Sequence, residues 1–170
     1  MIVVAPEDLL GEIEAASARA VSGGDTRQES VANGLEHVVT EQVVVHDAAR
    51  PFVTPDILQS AIDALDQADG SFAAIPVRET LAHVRDGAMT GVVPRASILS
   101  VQTPQVFWTA ALKDAHTKAR GEDITDATDD AQLVAKYGYT VVPVQGDARN
   151  LKLTYGPDFA LAQALLVGDA

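Results

Sequence analysis

The strongest constraint on the fold is the stretch Val43-Val44-Val45-His46-Asp47-Ala48-Ala49-Arg50. A β-branched run drives without interruption into an acid, two small residues and an arginine. Runs of this kind are buried strands, and ligands of open α/β sheets sit beyond the carboxyl ends of such strands. The reading puts Asp47 at the lip of a site, where a carboxylate can hold a divalent cation. Ala48 and Ala49 leave room for a ligand to approach, and Arg50 supplies a planar fork suited to phosphate. Taken alone, the stretch is equally a strand end with a solvated Asp–Arg pair. What surrounds it decides between the two.

Strands and helices alternate on both sides of it. Residues 1–5 form a short apolar run, read as a strand interior to a sheet. Pro6-Glu7-Asp8 then opens a helix, with proline at its first position and acids in its first turn. Residues 21–25 are a turn into a helix that starts with a capping box, Thr26 with Glu29. Its apolar stripe is Val31, Leu35 and Val38. Thr54-Pro55-Asp56 caps a covering helix with Ile57, Leu58, Ala61, Ile62 and Leu65 along one face. Residues 72–77 read as the next buried strand. Two short apolar runs then flank Arg85-Asp86-Gly87-Ala88, a hairpin signal, and a lone two-stranded ribbon wants a partner surface.

Residues 100–107 read as a strand broken by Pro104, followed by an alanine-rich helix with Trp108 packed in the core. Residues 121–130 carry five acids, but their spacing fails the EF-hand pattern. They read as a solvated loop running into a helix capped by Thr128 or Asp129. That helix stops at Gly138 and a strand follows at 139–144. Lys152 sits between Leu151 and Leu153 as if in a strand, either pinned toward a pocket or discouraging edge-to-edge aggregation. Leu161, Leu165 and Leu166 bury the last helix. The alternation gives an α/β domain: a mostly parallel sheet, helices on both faces, and one antiparallel arm.

Composition removes several functions. A chain of 170 residues with a formal net charge of −12 fits one domain with a sizeable core and lacks the basic patches of a nucleic-acid binder. It has no cysteine, so a disulfide framework, thiolate metal site or cysteine nucleophile is excluded. No signal peptide or membrane-length apolar stretch occurs, and the expectation is a cytoplasmic protein. A Ser-His-Asp hydrolase is disfavoured, since no G-x-S-x-G elbow occurs and strand alternation turns His46 away from Asp47.

The motifs HDAARPFV (46–53), GGDTRQESVANGL (23–35), AAIPVRETL (73–81), VQTPQVF (101–107) and NLKLTYGPDFALAQ (150–163) resemble those of the 2-C-methyl-D-erythritol 4-phosphate cytidylyltransferases of the non-mevalonate isoprenoid pathway. They stand in the family's order along the chain. The resemblance implies a Rossmann-like nucleotidyltransferase fold. It also implies transfer of a cytidylyl group from CTP to methylerythritol 4-phosphate with release of pyrophosphate. By the same resemblance, Gly24, Asp25, Ser30, Asp47 and Ala48 meet the nucleotide, and Asp47 holds Mg²⁺ or another divalent cation. Arg50, Thr80, Thr103 and Thr128 hold the acceptor, while Arg95 and Lys152 engage its phosphate and act with Asp47 in catalysis. The ribbon at about 79–94 becomes an arm that crosses to a second subunit of a homodimer.

One part of the family pattern is not matched. The family's first βα unit carries a glycine-rich loop, with an arginine and a following lysine, that holds the triphosphate. Here Gly23-Gly24 is the only glycine pair, and neither a G-x-G-x-x-G nor a P-loop pattern occurs. The expectation is an N-terminally incomplete cytidylyltransferase domain with little or no activity alone. Losing one preorganised donor to transition-state charge costs roughly 3–4 kcal/mol, and several are missing together. Two rival readings accompany it: a ribitol-5-phosphate cytidylyltransferase on the same scaffold, and a non-catalytic module that dimerises through the ribbon and binds the sugar phosphate weakly.

Overall fold

The computed structural model describes residues 1–16 and 18–168. In chain order the elements are β1 (Ile2–Ala5), a 3₁₀ turn (Glu7–Leu9), α1 (Leu10–Ala15), β2 (Arg19–Ser22), α2 (Arg27–Leu35), β3 (Gln42–Val45) and α3 (Pro55–Asp63). After them come β4 (Gly70–Pro76), β5 (Ala82–Arg85), β6 (Ala88–Val92), β7 (Leu99–Trp108), α4 (Thr109–Gly121), α5 (Asp130–Lys136), β8 (Val141–Gln145) and α6 (Gly156–Gly168).

The largest sheet has the order β3-β7-β4-β8. β4 and β8 are parallel, whereas β7 runs antiparallel to both of its neighbours. Strands β3, β4 and β8 thus share one direction and β7 opposes them, so the α/β sheet is mixed. β1 and β2 form a separate parallel pair, and β5 with β6 forms the ribbon. Within the described residues β1 is bonded on one side only, not interior as expected. An apolar groove lined by Ile2, Val4, Val31, Leu35, Val43 and Val45 lies between it and β3. β2 was not foreseen: Arg19-Ala20-Val21-Ser22 carries a single large apolar residue.

Alternation along β7 supplies both faces of the core. Phe107 packs with Leu35, Leu112, Leu133 and Val134 on the α4–α5 side. Its neighbour Val106 packs with Ala61 and Leu65 under α3. Gly70 is required opposite the Phe107 ring, because a Cβ there would come within 2.5 Å of it. No strand break occurs at Pro104. The β4–β7 register shifts between Phe72 and Ala74 instead, and residues 102–104 bulge opposite Ala73. A bulge tolerates proline, which cannot donate to a ladder, and this one re-aims Gln102 and Thr103.

Helix starts follow the local chemistry. Thr26 and Glu29 form the expected capping box on α2, Thr54 caps α3, and Asp129 rather than Thr128 caps α5. Two apolar expectations fail. Trp108 ends β7 at the surface, 36% exposed, and Leu161 and Leu166 of α6 are 54% and 66% exposed while Ala162 turns inward. Apolar residues on all sides of α6 left its buried face undefined by periodicity. Among the described residues no helix is long and apolar enough to cross a membrane.

Candidate active site

β3 ends at Val45, and the chain turns at once: the Arg50 amide donates to the Asp47 carbonyl at 2.9 Å. This turn presents the Asp47 carboxylate and the Arg50 guanidinium to one side of the sheet. The Asp47 amide donates to Thr103 Oγ1 at 3.0 Å, so the β7 bulge fixes the turn. His46 completes the clasp, with Nδ1 3.1 Å from Thr103 Oγ1 and Nε2 3.0 Å from the Arg50 carbonyl. A carbonyl can only accept, so Nε2 carries the hydrogen and the threonine hydroxyl donates to Nδ1.

Lys152 reaches the same point from the far end of the chain. Its Nζ lies 2.8 Å from Asp47 Oδ2, and Arg50 Nε approaches that oxygen at 4.0 Å. Lys152 is not in a strand: residues 151–154 are irregular, held by the Leu153 amide donating to the Ala49 carbonyl at 2.8 Å. Burial pushes the Asp47 carboxyl pKa up, but the hydrogen bond and charge of Lys152, with the charges of Arg27 and Arg50, outweigh it and hold the group below the ordinary carboxylate range. Arg50 is shifted down by burial against the pull of Asp47. Its Nε is buried without a hydrogen-bond partner, while one terminal nitrogen donates to the Asn150 carbonyl at 2.8 Å. One carboxylate thus faces two cations, with a guanidinium donor to spare.

The second group of expected residues sits on the loop into α2. The Gly24 amide donates to Ser30 Oγ at 3.1 Å, Ser30 Oγ donates to the Thr26 carbonyl, and the Asp25 amide donates to Glu29 Oε2 at 2.8 Å. A Cβ on Gly24 would lie 2.4 Å from that of Glu29, so glycine is obligatory there. Arg27 pairs with the buried Asp130 at 2.8 Å, and His116 holds the other carboxylate oxygen at 3.0 Å. That chain ties the loop to the start of α5, where Thr128 is exposed with its hydroxyl on Gln132. Gln105 of β7 bridges to the same helix start, donating to Asp129 and accepting from the Ala131 amide.

Thr80 and Arg95 stand apart. Both are exposed at the roots of the β5–β6 ribbon, where Arg95 donates to the Arg78 carbonyl. Among the described residues neither bonds to the Asp47 cluster. The geometry therefore gathers Asp47, Ala48, Arg50, Thr103 and Lys152, arranges Gly24, Asp25 and Ser30 on one loop, and leaves Thr80, Arg95 and Thr128 on exposed surface. His46, Gln102, Gln105, Arg27 and Asn150 were not foreseen. Only the neighbouring motif residues could have pointed to them.

A family profile for 2-C-methyl-D-erythritol 4-phosphate cytidylyltransferase (IspD) matches residues 1–168. The chain belongs to this family. A cytidylyltransferase of that name from Deinococcus radiodurans is 44% identical over 148 residues, covering 87% of this chain and 63% of the relative. One from Thermus thermophilus is 43% identical over 145 residues, covering 85% and 68%. The crystal structure of a Thermus thermophilus enzyme of this name superposes with a TM-score of 0.83 at 38% identity, over 97% of this chain and 81% of that one. A 4-diphosphocytidyl-2C-methyl-D-erythritol synthase from Anaerococcus prevotii gives a TM-score of 0.89 at 27% identity, over 97% and 80%. The mixed α/β architecture is thus the fold of this cytidylyltransferase family. The chain spans 63% of the length of the Deinococcus relative.

Proposed function

We propose that the chain serves transfer of a cytidylyl group from CTP to 2-C-methyl-D-erythritol 4-phosphate in isoprenoid precursor synthesis. The observation that carries the reading is the convergence of Lys152 and Arg50 on Asp47, with Arg50 Nε left unbonded. Two cations against one carboxylate leave an excess of positive charge, suited to a phosphate monoester. An oxygen of that phosphate attacks the α-phosphorus of CTP, and the bond to the departing pyrophosphate breaks as the new P–O bond forms. The protein's share is positioning and charge neutralisation, with no covalent intermediate on the chain.

Lys152 and Arg50 orient the acceptor phosphate, Thr103 holds the turn that carries them, and Thr128 lines the acceptor side. Gly24, Asp25 and Ser30 receive the cytosine and ribose, with Asp47 and Ala48 toward the phosphates. Asp47 stands as a single carboxylate, and among the described residues no cluster of three metal-type side chains occurs. That donor set fits Mg²⁺, which takes one or two carboxylates and fills its shell from phosphates and water. When bound, the cation neutralises triphosphate charge.

Thr80 and Arg95, which among the described residues make no bond to the Asp47 cluster of their own chain, reach the acceptor of a second subunit across a homodimer built on the ribbon. Val84, Met89 and Val92 of the ribbon are exposed, which supports such a partner. Dependence on a nucleoside triphosphate implies a cytoplasmic enzyme. The reading is tested by calorimetric titration with methylerythritol 4-phosphate. Saturable binding is expected, weakened about tenfold or more by Lys152→Ala, with ribitol 5-phosphate binding less tightly. Equal binding by the variant, or preference for ribitol 5-phosphate, overturns the reading.

A further inference from the structure

We infer that Asn150 is the positioning residue of the acceptor site, working with Gln102 to lock the Lys152 segment against the strand that carries Thr103 and the guanidinium of Arg50. The inference rests on the proposed acceptor site and adds the part that sets its geometry. The Asn150 side chain is fully buried. Its Nδ2 donates to the Thr103 carbonyl at 2.8 Å. Its own carbonyl accepts from Arg50 at 2.8 Å and from Gln102 Nε2 at 3.3 Å. One buried residue therefore touches the backbone of Thr103 and the side chain of Arg50, and stands two positions before Lys152.

Gln102 completes the lock. The same Nε2 donates to the Asp147 carbonyl at 2.9 Å, and the Asn150 amide closes the turn onto that carbonyl at 3.0 Å. The turn is thereby pinned to the β7 bulge, and the segment after it leaves in a fixed direction toward Asp47. Lys152 needs this. Its side chain is 46% exposed, and a lysine stem is rich in rotamer freedom, so its base must be held for the tip to stay on Asp47. Asparagine suits the position because the partner is a carbonyl, which demands a donor that an ionised aspartate lacks.

The test compares Asn150→Ala and Gln102→Ala with a core control, Leu65→Ala, which loses buried contacts under α3 away from the turn. Two readouts are taken on folded protein: the Kd for methylerythritol 4-phosphate, and the rate of Lys152 acetylation by acetic anhydride, mapped by mass spectrometry against Lys118 in the same sample. Both site variants are expected to weaken binding roughly 10–100-fold, in line with leaving a buried hydrogen-bonding group without its partner. They are also expected to speed Lys152 acetylation severalfold, while Leu65→Ala lowers Tm and changes neither. Unchanged affinity and unchanged acetylation in the site variants overturn the inference. If the unmutated chain binds no sugar phosphate, the proposed acceptor site fails and acetylation alone decides, faster supporting the lock and equal rates overturning it. Should Asn150→Ala not fold, Gln102→Ala carries both readouts.

Discussion

Asp47 stays ionised in half-buried surroundings because Lys152, Arg50 and Arg27 outweigh its desolvation. A carboxyl held below its unfolded pKa contributes stability that is fully present above that pKa and lost as pH falls through the folded value. Asp47→Asn leaves two cations without their counter-charge and is expected to lower stability at neutral pH. The difference from the unmutated chain narrows as pH falls below about 4, where the unfolded carboxyl protonates first, and is lost once pH passes the lower folded value. Denaturant unfolding across pH checks this, and a gap that widens on acidification contradicts it. Thr103→Val strips the acceptor from the Asp47 amide and the donor from His46 at similar volume, and is expected to cost about 1–3 kcal/mol in the same measurement. Asp47, Arg50, Thr103 and Lys152 were legible because their motifs are dense. His46 was not: alternation turns it from Asp47 only while the strand continues, and β3 ends at Val45. Asn150 and Gln102 carry no local signature, since an amide's partners here lie 47 and 45 residues away.

At the scale of elements, local chemistry predicted what local chemistry controls. The capping box on α2 formed as read, and Thr26→Ala is expected to lower stability by about 1 kcal/mol, measured by thermal unfolding. The ribbon turn formed at Asp86 and Gly87, both with positive φ (52° and 78°), as a two-residue hairpin loop demands. Strand direction is different. Nothing in the ten residues of β7 says that it opposes its neighbours, because direction is set by which connections reach across the sheet. The bulge that aims Thr103 and Gln102 was equally hidden, with Pro104 read as a break. Gly146 abuts this bulge: a Cβ there would lie 2.4 Å from Gln102 Oε1 and 3.1 Å from the Ala74 backbone. Gly146→Ala is therefore expected to cost about 1–3 kcal/mol, and a neutral Tm would contradict the packing described.

At the scale of the molecule, the proposed homodimer assigns the ribbon a partner surface on a second copy of the chain. Replacing residues 82–92 by a short glycine linker is expected to convert a dimer to a monomer in sedimentation, with the far-UV spectrum of the remaining fold kept because the ribbon's side chains are exposed within one copy. A dimer that survives contradicts the proposed arm. The lack of cysteine excluded thiol chemistry and the net charge argued against nucleic-acid binding, while the family came from motifs spread along the chain. The central proposal is that the Asp47–Arg50–Lys152 cluster holds the acceptor phosphate in a cytidylyl transfer that also needs a glycine-rich triphosphate loop. Its most direct test is pyrophosphate release from CTP, Mg²⁺ and methylerythritol 4-phosphate. The 170 residues alone are compared with the same chain joined to a βα unit that carries the glycine-rich loop implied by the resemblance. The account predicts acceptor-dependent release by the joined form, at least on the order of 100-fold above the chain alone, the loss expected from even one missing donor. No acceptor-dependent release from the folded joined form, or equal release from the chain alone, would contradict it.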